Sequence, residues 1–456
     1  MKKFKSLSLL LTVLCSLLPS LLYCQWLDTT VSVGDNPWTL VYNSLNNKVY
    51  CANLYSNNVT VIDCKYNSVI ITIPVGDEPN ALVYNSLNNK VYCVNDIGNN
   101  VTVIDGATDS VITTISVGNY PCALVYNSLN NKVYCANDGS ANVTVIDGAS
   151  DSVIKTVPTG NEPYALVYNS TNNKVYCANR RTNGSVTVIN GASDSVITTV
   201  PAGDGPWVLA WNSTNNKVYC VNEESDNVTV IDGASDSVIT TITVGDRPWA
   251  LVYNFTNNKV YCANAYSNTV TVIDGASDSV ITTITVGSWP YALFYNSMNK
   301  KVYCANGGGD DVTVIDGVTD SVIKTITVGG SPGAFAWNPI QNRIYVANYW
   351  SNTVSVIRDS IIQGIDETTN SEAISLIPEI YPNPAKTVLR VRVPWSVKEQ
   401  TDLKIFDVSG KLVREIATPT ARNDGIEETK ISLKGINPGI YFLRLGKETK
   451  KFLVVK

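Results

Sequence analysis

Histidine is absent from all 456 residues of the chain. Histidine is the most frequent general base of enzymes and the commonest side-chain ligand of transition metals. Its absence excludes the Ser-His-Asp and Cys-His arrangements of nucleophilic catalysis. An acid-base mechanism would then need paired carboxylates, and the nearest pair, Asp310-Asp311, follows three glycines and is more typical of an exposed turn. We therefore expect no catalytic residues and a protein that is not an enzyme.

A metal site or another cofactor is not expected either. An aspartate recurs at the end of the third strand of each repeat, for example Asp63, Asp105, Asp147 and Asp232, which could suggest calcium. Its neighbours in the following loop are mostly Gly, Ala and Ser, which supply few of the oxygen ligands that calcium needs. A turn-capping role is favoured for these aspartates.

The chain also lacks a basic stripe. Its formal net charge is −5, divided into about +6 from residue 378 onward and about −11 over the rest. Proteins that bind nucleic acid neutralise phosphates with clustered Lys and Arg. The acidic body of this chain therefore predicts no nucleic-acid partner.

Only one apolar run is long enough to suggest a membrane segment. It extends from Leu7 to Leu22, after the basic start Met1-Lys2-Lys3-Phe4-Lys5, and is followed by Cys24. This order is typical of a Sec signal peptide, predicted here over residues 1–24 with cleavage near Cys24. A membrane anchor is the alternative, and Pro19 within the run makes it less favoured. We expect an exported mature chain without a transmembrane segment.

Disulfide bonds are not expected despite eleven cysteines. Seven of them recur at steps of 42 residues, with one step of 43, and they are Cys51, Cys93, Cys135, Cys177, Cys220, Cys262 and Cys304. In repeated units they would lie roughly ~10 Å apart, whereas a disulfide needs Cα atoms within about 7 Å. We expect buried thiols at these positions. Cys64 and Cys122 each occur once in their repeat position and are candidates for exposure.

The segment around each of these cysteines is one strand of a repeated unit. In the first unit the predicted strands are a (residues 39–42), b (48–52), c (58–62) and d (68–75), separated by turn residues. Units of about 42 residues with four antiparallel strands predict the blades of a β-propeller. Strand d of the last unit is missing, and residues 29–33 match it, so the N-terminal strand is predicted to close the ring. We expect an all-β, eight-bladed propeller over residues 25–363, with seven blades as the alternative.

Strand alternation places the d-to-a and b-to-c links on one face of the propeller, and these links vary between units. The residue after the proline of the d-to-a link is aromatic in five of eight units. Ligand-binding candidates on this face are Trp38, Tyr164, Trp207, Trp249, Tyr291, Trp289, Arg180, Arg181 and Trp350. A ring of aromatics could bind a sugar, peptide or partner protein. Alternatively, the aromatics seal blade junctions, and the variable b-to-c links are solvated loops.

The repeats resemble a known family. Val49-Tyr50-Cys51-Ala52-Asn53, followed by Val-Thr-Val-Ile-Asp in most units, is similar to the YVTN β-propeller repeats known from prokaryotic surface proteins. The resemblance covers residues 25 to about 358. The chain departs from that family by having Cys-Ala where Val-Thr is frequent, which affects core packing more than function.

The C-terminal region has a different pattern. Residues 364–377 are rich in Glu, Thr, Asn and Ser and are predicted to form a linker. Beyond it, Tyr381-Pro382-Asn383-Pro384, residues 403–413 and residues 435–443 indicate strands separated by Pro and Gly turns, which predicts a small β-sandwich over 378–456. These motifs resemble the C-terminal sorting domain of type IX secretion. The resemblance implies the secretion machinery as a partner and a location that is secreted or at the outer cell surface.

Three functions agree with these observations. The leading hypothesis is a non-enzymatic binding or adhesion scaffold that presents the variable face to an unknown protein or glycan ligand. The alternatives are an extracellular propeller enzyme, lactonase-like or active on polysaccharides, and a structural component of a surface layer.

Overall fold

The computed structural model describes residues 24–181, 183–360 and, in the C-terminal region, 379–381, 388–394, 403–407, 412–416, 426–433, 436, 439–445 and 448–454. The predicted signal peptide up to residue 23 and the predicted linker 364–377 lie outside these residues. The chain divides into two compact units, residues 1–363 and 364–456. In the described residues no helix is both long and apolar enough to cross a membrane.

The first unit contains eight four-stranded antiparallel sheets, which are the blades of a propeller. Blades 1 to 4 contain, in turn, β2 (Pro37–Asn43), β3 (Lys48–Asn53), β4 (Asn58–Asp63) and β5 (Ser68–Pro74); β6 (Pro79–Asn85), β7 (Lys90–Asn95), β8 (Asn100–Asp105) and β9 (Val111–Ser116); β10 (Pro121–Asn127), β11 (Lys132–Asn137), β12 (Asn142–Asp147) and β13 (Ser152–Pro158); β14 (Pro163–Asn169), β15 (Lys174–Asn179), β16 (Ser185–Asn190) and β17 (Ser195–Pro201). In the third blade, the link between β11 and β12 contains a 3₁₀ turn, Asp138–Ser140.

Blades 5 to 7 repeat the same order. They contain β18 (Pro206–Asn212), β19 (Lys217–Asn222), β20 (Asn227–Asp232) and β21 (Val238–Thr243); β22 (Pro248–Asn254), β23 (Lys259–Asn264), β24 (Thr269–Asp274) and β25 (Val280–Thr285); β26 (Pro290–Asn296), β27 (Lys301–Asn306), β28 (Asp311–Asp316) and β29 (Val322–Thr327). Each blade thus supplies strands a, b, c and d in chain order, as predicted.

Blade 8 is completed by the N-terminus. It pairs β30 (Pro332–Asn338), β31 (Arg343–Asn348) and β32 (Thr353–Ser360) with β1 (Cys24–Ser32). The eight-bladed ring and its closure by an N-terminal strand are therefore confirmed. The closing strand differs in extent from residues 29–33, because β32 continues to Ser360 and pairs with β1 back to Cys24, with a bulge between Leu27 and Thr29.

Burial follows the position of each strand in its blade. The b strands are buried along nearly their whole length, as in β3, because neighbouring blades cover both of their faces. The outermost d strands, such as β5, are exposed at most positions. The alternation of one buried and one exposed face that marks a simple two-layer sheet is therefore missing from the core strands. Near-continuous apolar runs are what a strand covered on both sides requires.

The a-to-b and c-to-d turns form one face of the disc, which we call the turn face. In the first c-to-d turn, the Asp63 carboxylate accepts from the amides of Lys65 and Tyr66 at 2.6 and 3.2 Å. Five of the six other c-to-d turns repeat this arrangement around Asp105, Asp147, Asp232, Asp274 and Asp316, and Asn190 takes the same place in blade 4. The predicted turn-capping role of these aspartates is confirmed.

A second aspartate of the c-to-d turn joins neighbouring blades. At the junction of blades 1 and 2, Asp109 accepts from Lys48 Nζ at 2.7 Å and from the Tyr50 hydroxyl at 2.5 Å. Five further junctions repeat this triad, which we call the Lys-Tyr-Asp latch: Lys90-Tyr92-Asp151, Lys132-Tyr134-Asp194, Lys174-Tyr176-Asp236, Lys217-Tyr219-Asp278 and Lys259-Tyr261-Asp320. Both charges of each latch are largely removed from solvent, so the latch holds neighbouring blades in register.

The seven periodic cysteines are free thiols buried between blades, as expected. Burial raises the pKa of each thiol, Cys51 for example, well above its ordinary value, so these thiols are unreactive. Cys122 is partly buried. The expected exposure of Cys64 is wrong, because ring closure places blade 8 against it and Arg343 donates to its carbonyl oxygen at 3.0 Å.

The C-terminal unit contains two antiparallel sheets. One consists of β33 (Glu379–Tyr381), β34 (Val388–Pro394) and β37 (Ile426–Ser432). The other has the order β36 (Leu412–Ile416), β35 (Leu403–Asp407), β38 (Gly439–Leu445) and β39 (Glu448–Val454). The described residues of this unit lie almost entirely in β-strands, as predicted, and the packing of the two sheets as a sandwich stays a prediction.

Candidate functional site

The d-to-a and b-to-c links share the opposite face of the propeller, which we call the link face. Within blade 1, the amides of Leu54 and Tyr55 in the b-to-c link donate to the carbonyls of Asn36 and Asp35 in the d-to-a link, at 2.9 and 3.3 Å. Equivalent bonds recur around the ring, for instance between Ala265 and Arg247. The backbone of the link face is therefore as regular as that of the turn face, and its variation lies in the side chains.

One group of predicted residues packs together on blades 4 and 5. Tyr164 and Trp207 stack with ring centroids 4.3 Å apart. The guanidinium of Arg180 lies 4.1 Å from the centroid of Trp207 and 5.2 Å from that of Tyr164. These three side chains satisfy each other by stacking and cation–π contact, which is the arrangement expected of a sealed blade junction.

Glu223 organises the side chains beside this group. Only 6% of Glu223 is exposed, and its carboxylate accepts from Arg180 at 3.4 Å, from Arg247 at 3.2 Å and from the Trp249 indole at 3.2 Å. A buried carboxylate with three donors fixes the orientation of each of them. Glu223 was not among the predicted site residues. The available signal was its place in a b-to-c link that differs from those of the other blades.

A chain of aromatic rings continues from Trp249 across blades 7, 8 and 1. Ring centroids are separated by 5.4 Å between Trp249 and Tyr291, 6.2 Å between Tyr291 and Trp38, and 5.6 Å between Trp38 and Tyr349. Tyr349 then meets Trp350 at 4.9 Å. All four contacts are edge-to-face, a favoured geometry for aromatic pairs.

A glycine makes this chain of rings continuous. Trp38 and Tyr291 belong to blades 1 and 7, and blade 8, which lies between them, carries Gly333 at the equivalent position. A Cβ atom at Gly333 would meet only the Tyr291 ring, at 3.6 Å, which is an ordinary contact. The missing side chain therefore leaves a gap beside the rings of Trp38 and Tyr291, which contact each other, and does not relieve a clash.

The gap is the floor of an open pocket of about 270 Å³. Its lining residues are Pro37, Trp38, Trp249, Trp289, Tyr291, Gly307, Ser331, Pro332, Gly333, Tyr349 and Trp350. Trp289 and Trp350 are 57% and 73% exposed at its entrance. Burial, reinforced by a hydrogen bond with Tyr55, raises the pKa of Tyr349 to about 12, so this phenol is neutral at physiological pH. We call this the aromatic pocket.

Blade 2, on the other side of blade 1, presents polar groups at the same level. Its two innermost link positions carry Asn80 and Asp96, and Asn80 donates to the Pro121 carbonyl at 3.4 Å. Burial raises the pKa of Asp96 to about 6, with Glu78 and Asp138 adding to the rise and the Asn80 amide opposing it. The Asn80 Oδ1 and Asp96 Oδ1 atoms are buried and accept no hydrogen bond from the described part of the chain.

The type of residue that adopts positive φ separates the d-to-a links from the other turns. Among the described residues, 30 non-glycine residues have positive φ, and 22 of them are Asn or Asp, which tolerate this conformation. Six of the other eight occupy the position before the proline of a d-to-a link: Glu78, Tyr120, Glu162, Arg247, Trp289 and Ser331. Such side chains are costlier there, so this position carries side chains for a reason other than the turn itself.

The structure thus divides the nine predicted site residues into three groups. Trp38, Trp249, Tyr291, Trp289 and Trp350 line the aromatic pocket. Tyr164, Trp207 and Arg180 form the stacked group. Arg181 is 65% exposed in its side chain and pairs with Glu162 at 2.8 Å. Tyr349 belongs to a variable b-to-c link, which the sequence marks as a candidate for binding, whereas Gly333 was missed, because sequence comparison of the blades draws attention to the aromatics and away from the blades that lack one.

The described residues contain no cluster of three or more His, Cys, Asp or Glu side chains placed to hold a metal ion. The aromatic pocket offers apolar ring faces, indole and phenol hydrogen-bond groups, and no charged side chain among its lining residues.

Comparisons with known proteins agree with the fold. Residues 77–262 match the family model of the YNCE-like beta-propeller, and residues 192–371 match that of the Lactonase, 7-bladed beta-propeller. Residues 379–456 match the Secretion system C-terminal sorting domain. No curated protein matches the chain. The resemblance to propeller repeats and to a sorting domain is therefore confirmed, while the ring has eight blades rather than the seven of the lactonase model.

A solved structure is also similar. A hydrazine synthase from Kuenenia stuttgartiensis shares 18% identity with this chain at a TM-score of 0.53, over 62% of this chain and 96% of that chain. At this level of identity the likeness shows the fold alone. The sorting domain supports export by type IX secretion to the cell surface or the extracellular space.

Proposed function

We propose that this exported propeller is a non-enzymatic binding protein that takes its ligand into the aromatic pocket. The observation that carries the proposal is the gap at Gly333, where blade 8 leaves out the aromatic and the rings of Trp38 and Tyr291 turn toward each other. Concave, mostly apolar sites with a few polar groups are the usual form of ligand pockets.

Export fits this role. The sorting domain implies contact with the type IX secretion machinery, and a Sec signal peptide over residues 1–24 would deliver the chain to it. At the cell surface or in the medium, the ring of eight blades would present the link face to ligands while the latches of the turn face keep the disc rigid. Adhesion to a glycan or a protein would follow from such a site.

A lactonase is the second candidate, because residues 192–371 match a lactonase model. It is less supported, since the pocket brings together no acidic side chains, and Glu223 is held by three donors from its own face.

The test fills the pocket. Gly333→Trp supplies the aromatic that five of the other blades carry, at a position whose φ is not positive and whose Cβ has room. The full exported chain and this variant would be labelled and applied to arrays of oligosaccharides and of peptides, and both would be assayed for hydrolysis of a panel of lactones. Thermal unfolding of the variant checks that its fold is unchanged.

We expect the wild-type chain to retain at least one class of array probe, and Gly333→Trp to lose it at an unchanged unfolding temperature. Retention that is equal in both proteins, or no retention by the wild type, would overturn the proposal. Lactone turnover that the variant abolishes would replace it with the enzymatic candidate.

A further inference from the structure

We infer that the ligand of the aromatic pocket is a neutral oligosaccharide whose chain extends from the pocket to Asn80 and Asp96 on blade 2. This inference rests on the proposed binding function and names its ligand class. Three properties of the link face support it: the charge of the pocket, its unpaired donors, and the unpaired acceptors beside it.

The pocket lining contains no charged side chain. Desolvating an ionised group without a partner of opposite charge is costly, so an anionic or cationic ligand group would be disfavoured there. The charged side chains nearest to Trp249 are already engaged, because Arg247 and Arg180 both donate to Glu223. The part of the ligand that enters the pocket is therefore neutral.

The aromatic side chains at the pocket carry unused donors. In the part of the chain that the structure describes, the indoles of Trp38, Trp289 and Trp350 and the hydroxyl of Tyr291 make no hydrogen bond to another residue, whereas the Trp249 indole donates to Glu223. An indole N–H can only donate. A ligand that covers these rings must therefore offer acceptor oxygens as well as an apolar face.

Blade 2, which is adjacent to blade 1, carries two buried acceptor atoms. Strand β6, which begins with Pro79 and Asn80, packs directly against β2, which carries Trp38. The Asn80 Oδ1 and Asp96 Oδ1 atoms are buried without a donor among the described residues. Buried acceptors are satisfied in nearly all native proteins, by protein, water or ligand, so this pair calls for a hydrogen-bond donor.

Donors and acceptors together select the ligand class. A proline-rich peptide has apolar rings and carbonyl acceptors, so it would suit the aromatic pocket, but prolyl nitrogens cannot donate to Asn80 or Asp96. A lipid chain satisfies neither set. A sugar ring has an apolar C–H face that can cover an aromatic ring and hydroxyls that both donate and accept. More than one ring is needed, because the donors and the acceptors lie on different blades.

Trp289 gives independent support. This tryptophan has φ of 53°, a left-handed conformation that is strained for a residue other than Gly, Asn or Asp. Its side chain is 57% exposed, so packing does not compensate for that strain. An aromatic held at the pocket entrance in this way is placed for contact with a ligand.

The experiment uses the full chain and titrates it with neutral linear gluco-, manno- and xylo-oligosaccharides of two to six units, acidic oligosaccharides, and proline-rich peptides, followed by calorimetry. Trp350→Ala and Trp289→Ala remove stacking surface, and Asn80→Ala removes an acceptor. Phe255→Ala is the matched control, because Phe255 is a 56% exposed aromatic in an a-to-b turn of the opposite face.

We expect a neutral oligosaccharide to bind, roughly tenfold more weakly after either tryptophan substitution and about threefold to tenfold more weakly after Asn80→Ala, with no change in Phe255→Ala. Affinity should rise with chain length from two units upward. If only peptides or acidic sugars bind, and Gly333→Trp abolishes that binding, the binding function stands and the ligand class is wrong. If no probe binds, both fail.

Discussion

Both faces of the propeller connect the strands of eight similar blades, but the side chains vary much more between blades on the link face than on the turn face. On the turn face, each blade repeats nearly the same residues, and six junctions are joined by the same Lys-Tyr-Asp latch. On the link face the backbone bonds are just as regular, but the side chains differ from blade to blade. The repeated side chains are therefore those that every junction needs, whereas the contacts of the varied ones differ from blade to blade.

The two faces also differ in the residue types that occupy their positive-φ positions. On the turn face, such positions are filled by Asn or Asp in every described blade except at Lys300. In the d-to-a links of the link face only Asn36 follows that rule. Turn formation alone does not explain why the link face carries side chains such as Trp289 at positions whose backbone conformation is strained for them.

We expect the largest loss of stability from a substitution in blade 8, on the turn face. Blade 8 lacks a c-to-d turn, and Asp359 at the end of β32 takes over the latch by accepting from Lys301 at 2.8 Å, Gln25 at 3.1 Å and Asn296 at 2.8 Å. Asp359→Ala would remove the carboxylate that pairs with Lys301, a buried charge that is only 2% exposed. We expect a loss of about 3–5 kcal/mol in the free energy of unfolding, measured by urea denaturation.

The control for this prediction removes both charges. Because the desolvation penalty disappears with the pair, Asp359→Leu combined with Lys301→Met should regain much of the loss. An Asp359→Ala protein as stable as the wild type would show that ring closure depends on strand pairing alone.

A smaller effect compares matched aspartates of the two faces. Asp236 is the latch residue between blades 4 and 5, 2.7 Å from both Lys174 Nζ and the Tyr176 hydroxyl. Asp236→Asn keeps a residue that tolerates its φ of 55°, as Asn67 does beside Tyr345, and removes only the charge. We expect a loss of about 1–3 kcal/mol.

The matched change on the link face is Asp246→Asn, whose exposed carboxylate accepts no hydrogen bond from the described residues. We expect its effect on unfolding to stay within about 0.5 kcal/mol. Equal losses in the two variants would remove the distinction between a packed face and a free one.

The last prediction concerns the pH dependence of unfolding and Asp96, a carboxylate of the link face. Burial raises the pKa of Asp96 from 3.8 to about 6, so the folded state favours the protonated carboxyl. The stability that this group contributes is fully present below its ordinary pKa and is lost as pH rises through 6. Asp96→Asn should therefore unfold at a higher temperature than the wild type at pH 7.5 and at the same temperature at pH 4. A constant difference at both pH values would contradict the shift.

Much of the fold could be predicted because repetition amplifies weak signals. One Val-Tyr-Cys-Ala-Asn segment is ambiguous, but eight similar segments at a constant step define a strand in each blade. The match of residues 29–33 to a d strand likewise predicted ring closure. Contacts that occur once could not be predicted this way. Glu223 gathers Arg180, Arg247 and Trp249 only here, and Cys64 is buried only because blade 8 lies against it.

The sequence by itself predicted eight blades, with seven as the alternative, and determined the strands within each blade and the face that varies, since these depend on local patterns that every blade repeats. Only the tertiary structure decided which varied residues meet. Closure of the ring brings Trp38 near Tyr291, and the absent side chain of Gly333 lets them approach to 6.2 Å. The physical reason is that periodicity reports what each blade shares, whereas a pocket forms where one blade differs from its neighbours.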